Sequence, residues 1–293
     1  MNITAINSTK PCITSINKNI QNSVKKSFIT PLTNETPAKV TSETMRAYCP
    51  NISFKGNNGN TEIKSIQQKI IEELESIGKD DYTTAHQTAE KIPEVYYQIT
   101  RILDSKSNME LLKLTDKRGL SVAHILANNS LEAYNKVTKD FKYKDRLALL
   151  KLSDNLRRTV AHFLVTKEYS KATEDFEYKD KIDLLNLTDG FGFTVANDLA
   201  GENPKEYVKT TEGLKTEDRF KLLKLTNGYY STAHYLAMHS PKDFADAIQG
   251  LSDEQREELF TMRDYKGCTV YDYYLKNILN DPKCRDLKFQ FEI

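Results

Sequence analysis

The stretch LLKLTDKRGLSVAH, from Leu111 to His124, is written again as LLKLSDNLRRTVAH ending at His162 and as LLNLTDGFGFTVAN ending at Asn197. It returns as LLKLTNGYYSTAH ending at His234 and as LFTMRDYKGCTVYD ending at Asp272, with a shorter early copy, DDYTTAH, ending at His86. The six end points are 38, 38, 35, 37 and 38 residues apart. Self-similarity at a fixed period in this range marks a solenoid or array of small units. One such unit is too small to close its own core, so stability must come from stacking on neighbours.

Within each copy a turn rich in Asp, Asn and Gly reverses the chain, because these residues tolerate positive φ or bond their own backbone. A Thr or Ser (Ser121, Thr159, Thr194, Thr269) then stands where it caps a short helix such as TVAHFLVTK. A second helix follows, as in LEAYNKVTKDF or PKEYVKTTEGL, where Pro204 suits a first helical turn. A third short helix, as in YKDRLALLKL, leads into the next turn. Strand-like alternation of useful length is absent, so the expected fold is an all-α solenoid of about five to six stacked helical repeats.

Four parts are expected. Residues 1–60 are rich in Asn, Thr, Ser and Lys, with Pro11, Pro31, Pro37 and Pro50 and no apolar period. That composition predicts a disordered arm, with one apolar-aromatic island, Ile52 to Gly56, readable as a short docking or export motif or as plain linker. Residues 61–78 read as a capping helix: Thr61 as N-cap, Ile63, Ile66, Ile70, Leu74 and Ile77 on one face, Gly78 as the stop. Residues 79–280 form the array, and 281–293 a tail. The last copy, DYKGCTVYDYYLKNILN, replaces small apolar residues by Asp272 and three tyrosines, as a terminal cap would.

Charge narrows the function classes. The chain carries +1 overall, yet residues 1–60 hold seven Lys/Arg against Glu35 and Glu43, a net of +5, which leaves −4 for residues 61–293. An acidic array is a poor phosphate-tracking surface, so no nucleic-acid partner is expected. Membrane spans are not expected either, since no apolar run reaches that length. Cys12, Cys49, Cys268 and Cys284 form no CxxC pair, which argues against a disulfide framework or zinc site and for a reducing compartment. A plain secretory signal is not evident, so the expected location is cytoplasmic, with non-classical export open and Asn51-Ile52-Ser53 a chance sequon.

The pattern D-x-x-G-x-[ST]-V-A-H-x-L-A resembles the ankyrin repeat, whose signature is a turn with Asp and Gly followed by T-P-L-H-x-A. The resemblance is clearest in Asp116, Gly119, Ser121-Val122-Ala123-His124 and Ala127, and covers about residues 79–280. Here Val or Thr replaces the usual Pro, the period is longer than 33, and the extra residues fall where the third helix is read. An armadillo- or HEAT-like solenoid is the architectural alternative. The resemblance implies binding of a protein partner through turn tips and the adjoining first helices, without cofactor or catalysis.

Candidate residues follow from position. His86, His124, His162 and His234 share one repeat position, and equivalent residues in stacked units lie roughly 10 Å apart. Zinc needs its ligands within about 2 Å of one ion, so these rings read as structural hydrogen-bonders rather than metal ligands; Asn197 and Asp272 at the same position fit that reading. Nucleophile elbow, Walker loop, dinucleotide fingerprint and H-E-x-x-H motifs are all missing, so no enzyme is expected, and Cys268 reads as an exposed structural thiol. The tips carry Arg157, Arg158, Phe191, Phe193, Tyr229, Tyr230 and Tyr265, residue types that anchor interfaces. For Phe191 and Phe193 the competing reading packs each ring on the next tip. The expected molecule is a monomeric, non-enzymatic array that binds a protein partner through its turn tips and concave face. The alternatives are a translocated effector guided by the arm and an enzyme whose site the sequence does not show.

Overall fold

The computed structural model describes residues 59–280. The arm with its Ile52 to Gly56 island, the tail 281–293 and Cys12, Cys49 and Cys284 lie outside them. Among the described residues there are seventeen α-helices, and strand pairing is limited to isolated bridges. Helix α1 spans Gly59–Glu75. The first unit is α2 (Thr84–Lys91), α3 (Pro93–Thr100) and α4 (Ser105–Lys113). Next come α5 (Val122–Asn129), α6 (Leu131–Thr138) and α7 (Tyr143–Lys151), then α8 (Val160–Leu164), α9 (Tyr169–Ala172) and α10 (Tyr178–Leu185). The fourth unit is α11 (Val195–Glu202), α12 (Pro204–Thr211) and α13 (Thr216–Lys224). The fifth is α14 (Thr232–His239), α15 (Pro241–Ala247) and α16 (Asp253–Thr261), and α17 (Val270–Asn280) closes the array. Three helices per unit explain the long period.

Between the third helix of one unit and the first of the next the chain makes a tip, pinched by a single bridge such as Thr115 to Ser121 or Ser153 to Thr159. A bridged tip that runs directly into a Ser/Thr-capped helix is the ankyrin-like feature. The third helix is the addition.

Units stack like on like. First helices pack in succession, α2 on α5, α5 on α8, α8 on α11, α11 on α14 and α14 on α17. The residues allow it, because Ala85, Ala123, Ala161, Ala196, Ala233, Ala127, Ala200 and Ala237 are fully buried and let the backbones approach. The Leu pair that ends each third helix, such as Leu111-Leu112 or Leu149-Leu150, is buried beneath the tip. At roughly 1.5–3 kcal/mol per buried leucine, these pairs are a large part of what holds each tip to the stack. Helix α1 packs on α2 and α4, so it stands in the third-helix layer ahead of the first unit.

Three details of α1 differ from the sequence reading. It begins at Gly59, so Thr61 lies inside the helix and is not its N-cap. It ends at Glu75, because Ser76 to Gly78 are drawn out: Thr84 donates to the Ser76 carbonyl and Gly78 to that of Tyr82, both at 3.1 Å. Ile77 therefore leaves the apolar face and is 72% exposed, whereas Ile70 and Leu74 are buried. Ile63 and Ile66 fall outside the residues whose side chains are described.

The histidines tie each unit to the next. Nδ1 accepts from the backbone N–H of the capping residue, at 3.2 Å for Thr83 to His86, 3.1 Å for Ser121 to His124, 3.0 Å for Thr159 to His162 and 3.2 Å for Ser231 to His234. With Nδ1 accepting, the ring proton sits on Nε2. That N–H donates across the stack: His86 to the Leu120 carbonyl and His124 to that of Arg158, both at 3.2 Å, and His162 to that of Phe193 at 3.4 Å. For His234 the Cys268 carbonyl takes that place, but Nε2 makes no well-formed hydrogen bond among the described residues. At the same position Asn197 donates to the Leu225 carbonyl at 3.1 Å and the Thr232 hydroxyl at 2.8 Å.

Second helices carry a buried ring at one position: Tyr96, Tyr134, Tyr169, Tyr207 and Phe244. A threonine four residues on returns its hydroxyl to the tyrosine's carbonyl, as Thr211 does to Tyr207 at 2.9 Å. The hydroxyls of Tyr96, Tyr169 and Tyr207 have no partner, and burial pushes all three phenols above their ordinary range.

Two outcomes follow. Tyr207→Phe should be neutral or stabilising by up to about 1 kcal/mol in urea unfolding, since it removes an unsatisfied buried hydroxyl; a loss of that size would mean the hydroxyl holds a buried water. Burial also lowers the pKa of His86, His162 and His234 and takes His124 down to about 4, against 6.5 for the free side chain. Between those values the unfolded chain binds more protons than the folded one, so stability is constant above neutrality and falls as pH drops through 6.5. His124 alone should remove about 2 kcal/mol between pH 7.5 and pH 5. Urea midpoints at the two pH values test this, and His124→Asn should show a smaller pH dependence than the wild type.

Candidate functional site

The five tips that follow the first unit and its successors are each built around one carboxylate or amide turned inward; in the tip ahead of α2, Gly78 holds that position. Asp116 accepts from the backbone N–H of Arg118 at 2.9 Å and of Leu120 at 3.0 Å. Asp154 does the same for Leu156 and Arg158, Asp189 for Phe191 and Phe193, and Asp264 for Lys266 and Cys268, all within 2.8–2.9 Å. Asn227 serves Tyr229 and Tyr230 at 3.0 and 2.9 Å. All five side chains belong to buried residues. Locking two amides onto one side chain fixes the turn, as Asx turns do.

The tips also clasp one another. Lys117 donates its backbone N–H to the Asp80 carbonyl at 3.2 Å, Asn155 to Arg118 at 3.1 Å, Gly190 to Leu156 at 2.7 Å and Tyr265 to Tyr229 at 3.1 Å. Among the described residues no such bond joins the Asp189 tip to the Asn227 tip. That last tip is one residue shorter, its bridge joining Thr226 to Ser231.

With the turn fixed, position within it decides exposure. The residue just before the capping Ser/Thr turns inward in every tip, and the residue three before it in the five-residue tips turns out. Tyr230 is therefore in the core, 7% exposed, edge-on to Tyr235 at 5.6 Å and Tyr265 at 5.5 Å, and is corrected here from a binding to a packing residue. Phe193 is half-buried with its ring 6.2 Å from that of Tyr235. Arg158 is likewise committed inside the molecule. Its Nε and Nη2 meet the Asp154 carboxylate at 2.9 and 2.6 Å and its guanidinium lies 4.9 Å from the Phe163 ring centre. Cys268, expected to be exposed, holds the same position and is half-buried.

Outward stand Phe191 at 54%, Tyr229 at 57% and Tyr265 at 43% exposed, with Leu156 beside them. Tyr229 and Tyr265 meet edge to face at 5.3 Å, and the Lys266 ammonium lies 5.2 Å from the Tyr265 ring centre. Phe191, Tyr229 and Tyr265 thus share one edge with Arg157, whereas Arg158, Phe193 and Tyr230 lie beneath it.

Arg157 is the anomaly. It occupies the place held by Gly119, Gly192 and Gly267 in sister tips, and it takes the same left-handed backbone, φ 59° against 73°, 88° and 82°. A Cβ in that conformation crowds the following carbonyl and is strained. No ion pair or hydrogen bond of its side chain compensates among the described residues.

Away from the tips, unit three is the shortest, and its second helix α9 has one turn where α12 has two. The shortfall leaves a cleft of about 740 Å³ walled by Ser170, Lys171, Tyr178, Lys181, Lys209 and Thr210. Several of its polar groups are already engaged: Lys171 with Glu168, Lys181 with the Glu174 carbonyl, Tyr178 with Asp218. Among the described residues no cluster of His, Cys, Asp and Glu is placed to hold a metal ion, and no helix is long and apolar enough to cross a membrane.

Arg157→Gly should raise stability by about 0.5–1 kcal/mol, the relief of strain less the larger entropy loss of glycine. Arg157→Ala, which keeps the strain and removes only the guanidinium, should leave the urea midpoint unchanged. Equal effects of the two would mean the side chain, not the backbone, carries the cost.

No protein-family model matches the chain, and no curated protein does. Among solved structures, a chain of the complex between the predatory endopeptidase Bd0816 of Bdellovibrio bacteriovorus and the immunity protein Bd3460 matches at 16% identity, TM-score 0.48, covering 74% of this chain and all of that one. The ankyrin repeat domain of Bcl-3, of the IkappaB family, matches at 11% identity, TM-score 0.46, covering 85% of this chain and all of that domain. It is the bridged, Asp-centred tip leading into a capped helix that makes the array ankyrin-like.

Proposed function

We propose that the protein is a non-enzymatic recognition scaffold that binds a protein partner along its tip edge. The observation that carries this reading is the set of three rings, on Phe191, Tyr229 and Tyr265, held outward on turns whose backbones are fixed by buried side chains and, for most neighbours, by tip-to-tip bonds. A surface turn gains little stability from an exposed ring, whereas rigid aromatic side chains are strong interface anchors. Because the tips are already ordered, a partner meets them at low conformational cost. The structural inward residues, Tyr230 and the histidines, serve the edge indirectly by keeping each tip seated.

Phe191→Ala/Tyr229→Ala should leave the urea midpoint within about 0.5 kcal/mol of the wild type, as surface substitutions do. A photo-crosslinking residue at position 229 of the full chain, exposed to lysate, should capture discrete protein species that the same residue at exposed Lys144 does not. Identical capture from both positions would overturn the assignment of the edge.

A further inference from the structure

We infer that the edge running from Lys117 to Lys266 docks an extended acidic segment of a protein partner, with the Arg157 guanidinium as its carboxylate anchor. The inference rests on the tips being the recognition surface and names what they recognise.

Charge is the first argument. In the tips that begin at Asp116, Asp154, Asp189 and Asp264 the only acidic residue is the first, and it is buried with Oδ1 on two backbone N–H groups; the Asn227 tip holds no acid. What reaches solvent from these tips is Lys117, Arg157 and Lys266, with Arg118 partly exposed on Asp116, together with Asn155, Leu156, Phe191, Tyr229 and Tyr265. An edge of cations and rings with no exposed carboxylate stands on an array whose residues 61–293 sum to −4. The net negative charge of the array is therefore carried outside these tips, and a partner with carboxylates spaced among apolar side chains is the complement of their exposed edge. Only the first tip breaks the pattern, with Asp80 held to Lys117 at 3.3 Å, and it marks the end of the strip.

Arg157 is the second argument, independent of the first. A guanidinium without a partner among the described residues, on a residue kept in a glycine conformation, does nothing for the described fold that glycine would not do better. Strain kept at an exposed position points to a role outside the fold. A planar fork suited to bidentate carboxylate contact is the chemistry on offer.

Length fits as well. Stacked units repeat at roughly 10 Å, so the tips from Asp154 to Asp264 span roughly 30 Å, the reach of about nine extended residues. Single-stranded nucleic acid also favours cations beside rings, but four solvent-reaching cations over five tips, Lys117 paired with Asp80 and Arg118 with Asp116, are too few to follow a phosphate at every nucleotide.

The test selects displayed random peptides of about 16 residues, long enough for the strip, against the full-length chain at low salt. The expected result is enrichment of peptides rich in Asp and Glu interleaved with apolar residues. Binding of a selected peptide should weaken by about tenfold or more in Arg157→Glu/Lys266→Glu, and also on raising salt. Phe191→Ala/Tyr229→Ala should weaken it too. Neutral or basic peptides that still require Phe191 and Tyr229 would overturn the acidic partner and leave the tip reading standing. Peptides indifferent to every tip variant would overturn both. No enrichment over an unrelated helical-repeat control would overturn a linear segment as the occupant. Tip-dependent binding of a 16-mer oligouridylate that displaces the peptides would overturn it in favour of nucleic acid.

Discussion

A buried side-chain oxygen that accepts two backbone N–H groups, repeated in five tips, is the interaction on which the rest of this structure depends. Without it the turn between third and first helix would have unpaired amides, and the following capped helix would have no fixed starting point. The same contact also decides the chemistry of the surface. By drawing the acid of four of these tips into the turn, it keeps that carboxylate off the outer side. The turn and the character of its exposed edge are thus set by one residue per tip, Asp in four tips and Asn227 in the fifth.

The second dependency is the link from unit to unit, and here side-chain length and loop length are matched. In three tips of five residues a histidine reaches the carbonyl just ahead of the next cap. The Asn227 tip is one residue shorter, and the preceding unit presents Asn197, whose shorter amide reaches Leu225 instead and takes Thr232 as a further partner. Thr232 stands where Val122, Val160, Val195 and Val270 stand elsewhere in the array, Thr84 of the first unit apart. Three departures from the repeat are therefore one local solution, in which a missing residue is met by a shorter donor and an added acceptor.

Much of this was legible in the sequence. The period, the Asp-to-Gly turns, the Ser/Thr caps and the third helix all follow from local propensities that the stacked structure leaves intact. Reading single side chains in the tips was less secure, for a definite reason. Arg158, Phe193 and Tyr230 all occupy the position just before the cap, which turns inward in every tip; counting back from the capping Thr or Ser finds them. Tyr229 and Tyr230 are neighbours in the chain, and that the missing residue lies ahead of them becomes visible only in this alignment. What no alignment within the chain reveals is the backbone of Arg157, because the tolerance of a left-handed arginine depends on the turn around it. Ile77 misleads similarly: its helical spacing from Leu74 is real, but the bridge to Thr83 takes precedence over another turn of helix.

The clasp between tips is continuous except between the Asp189 and Asn227 tips, where no backbone bond is made among the described residues. That gap separates the two most exposed rings, Phe191 and Tyr229. On one side the Asp116, Asp154 and Asp189 tips are joined in series, and on the other Tyr265 is bonded to Tyr229. The edge is thus two bonded segments meeting at one joint, bridged beneath the surface by Asn197 and Thr232 rather than at the tips themselves. If the edge binds as proposed, a ligand laid along it would cross that joint between Phe191 and Tyr229. Adjustment to different spacings would then be concentrated at the one place where the shorter tip interrupts the ladder, while Arg157 stays on the segment bonded through Asn155 and Gly190 to its neighbouring tips.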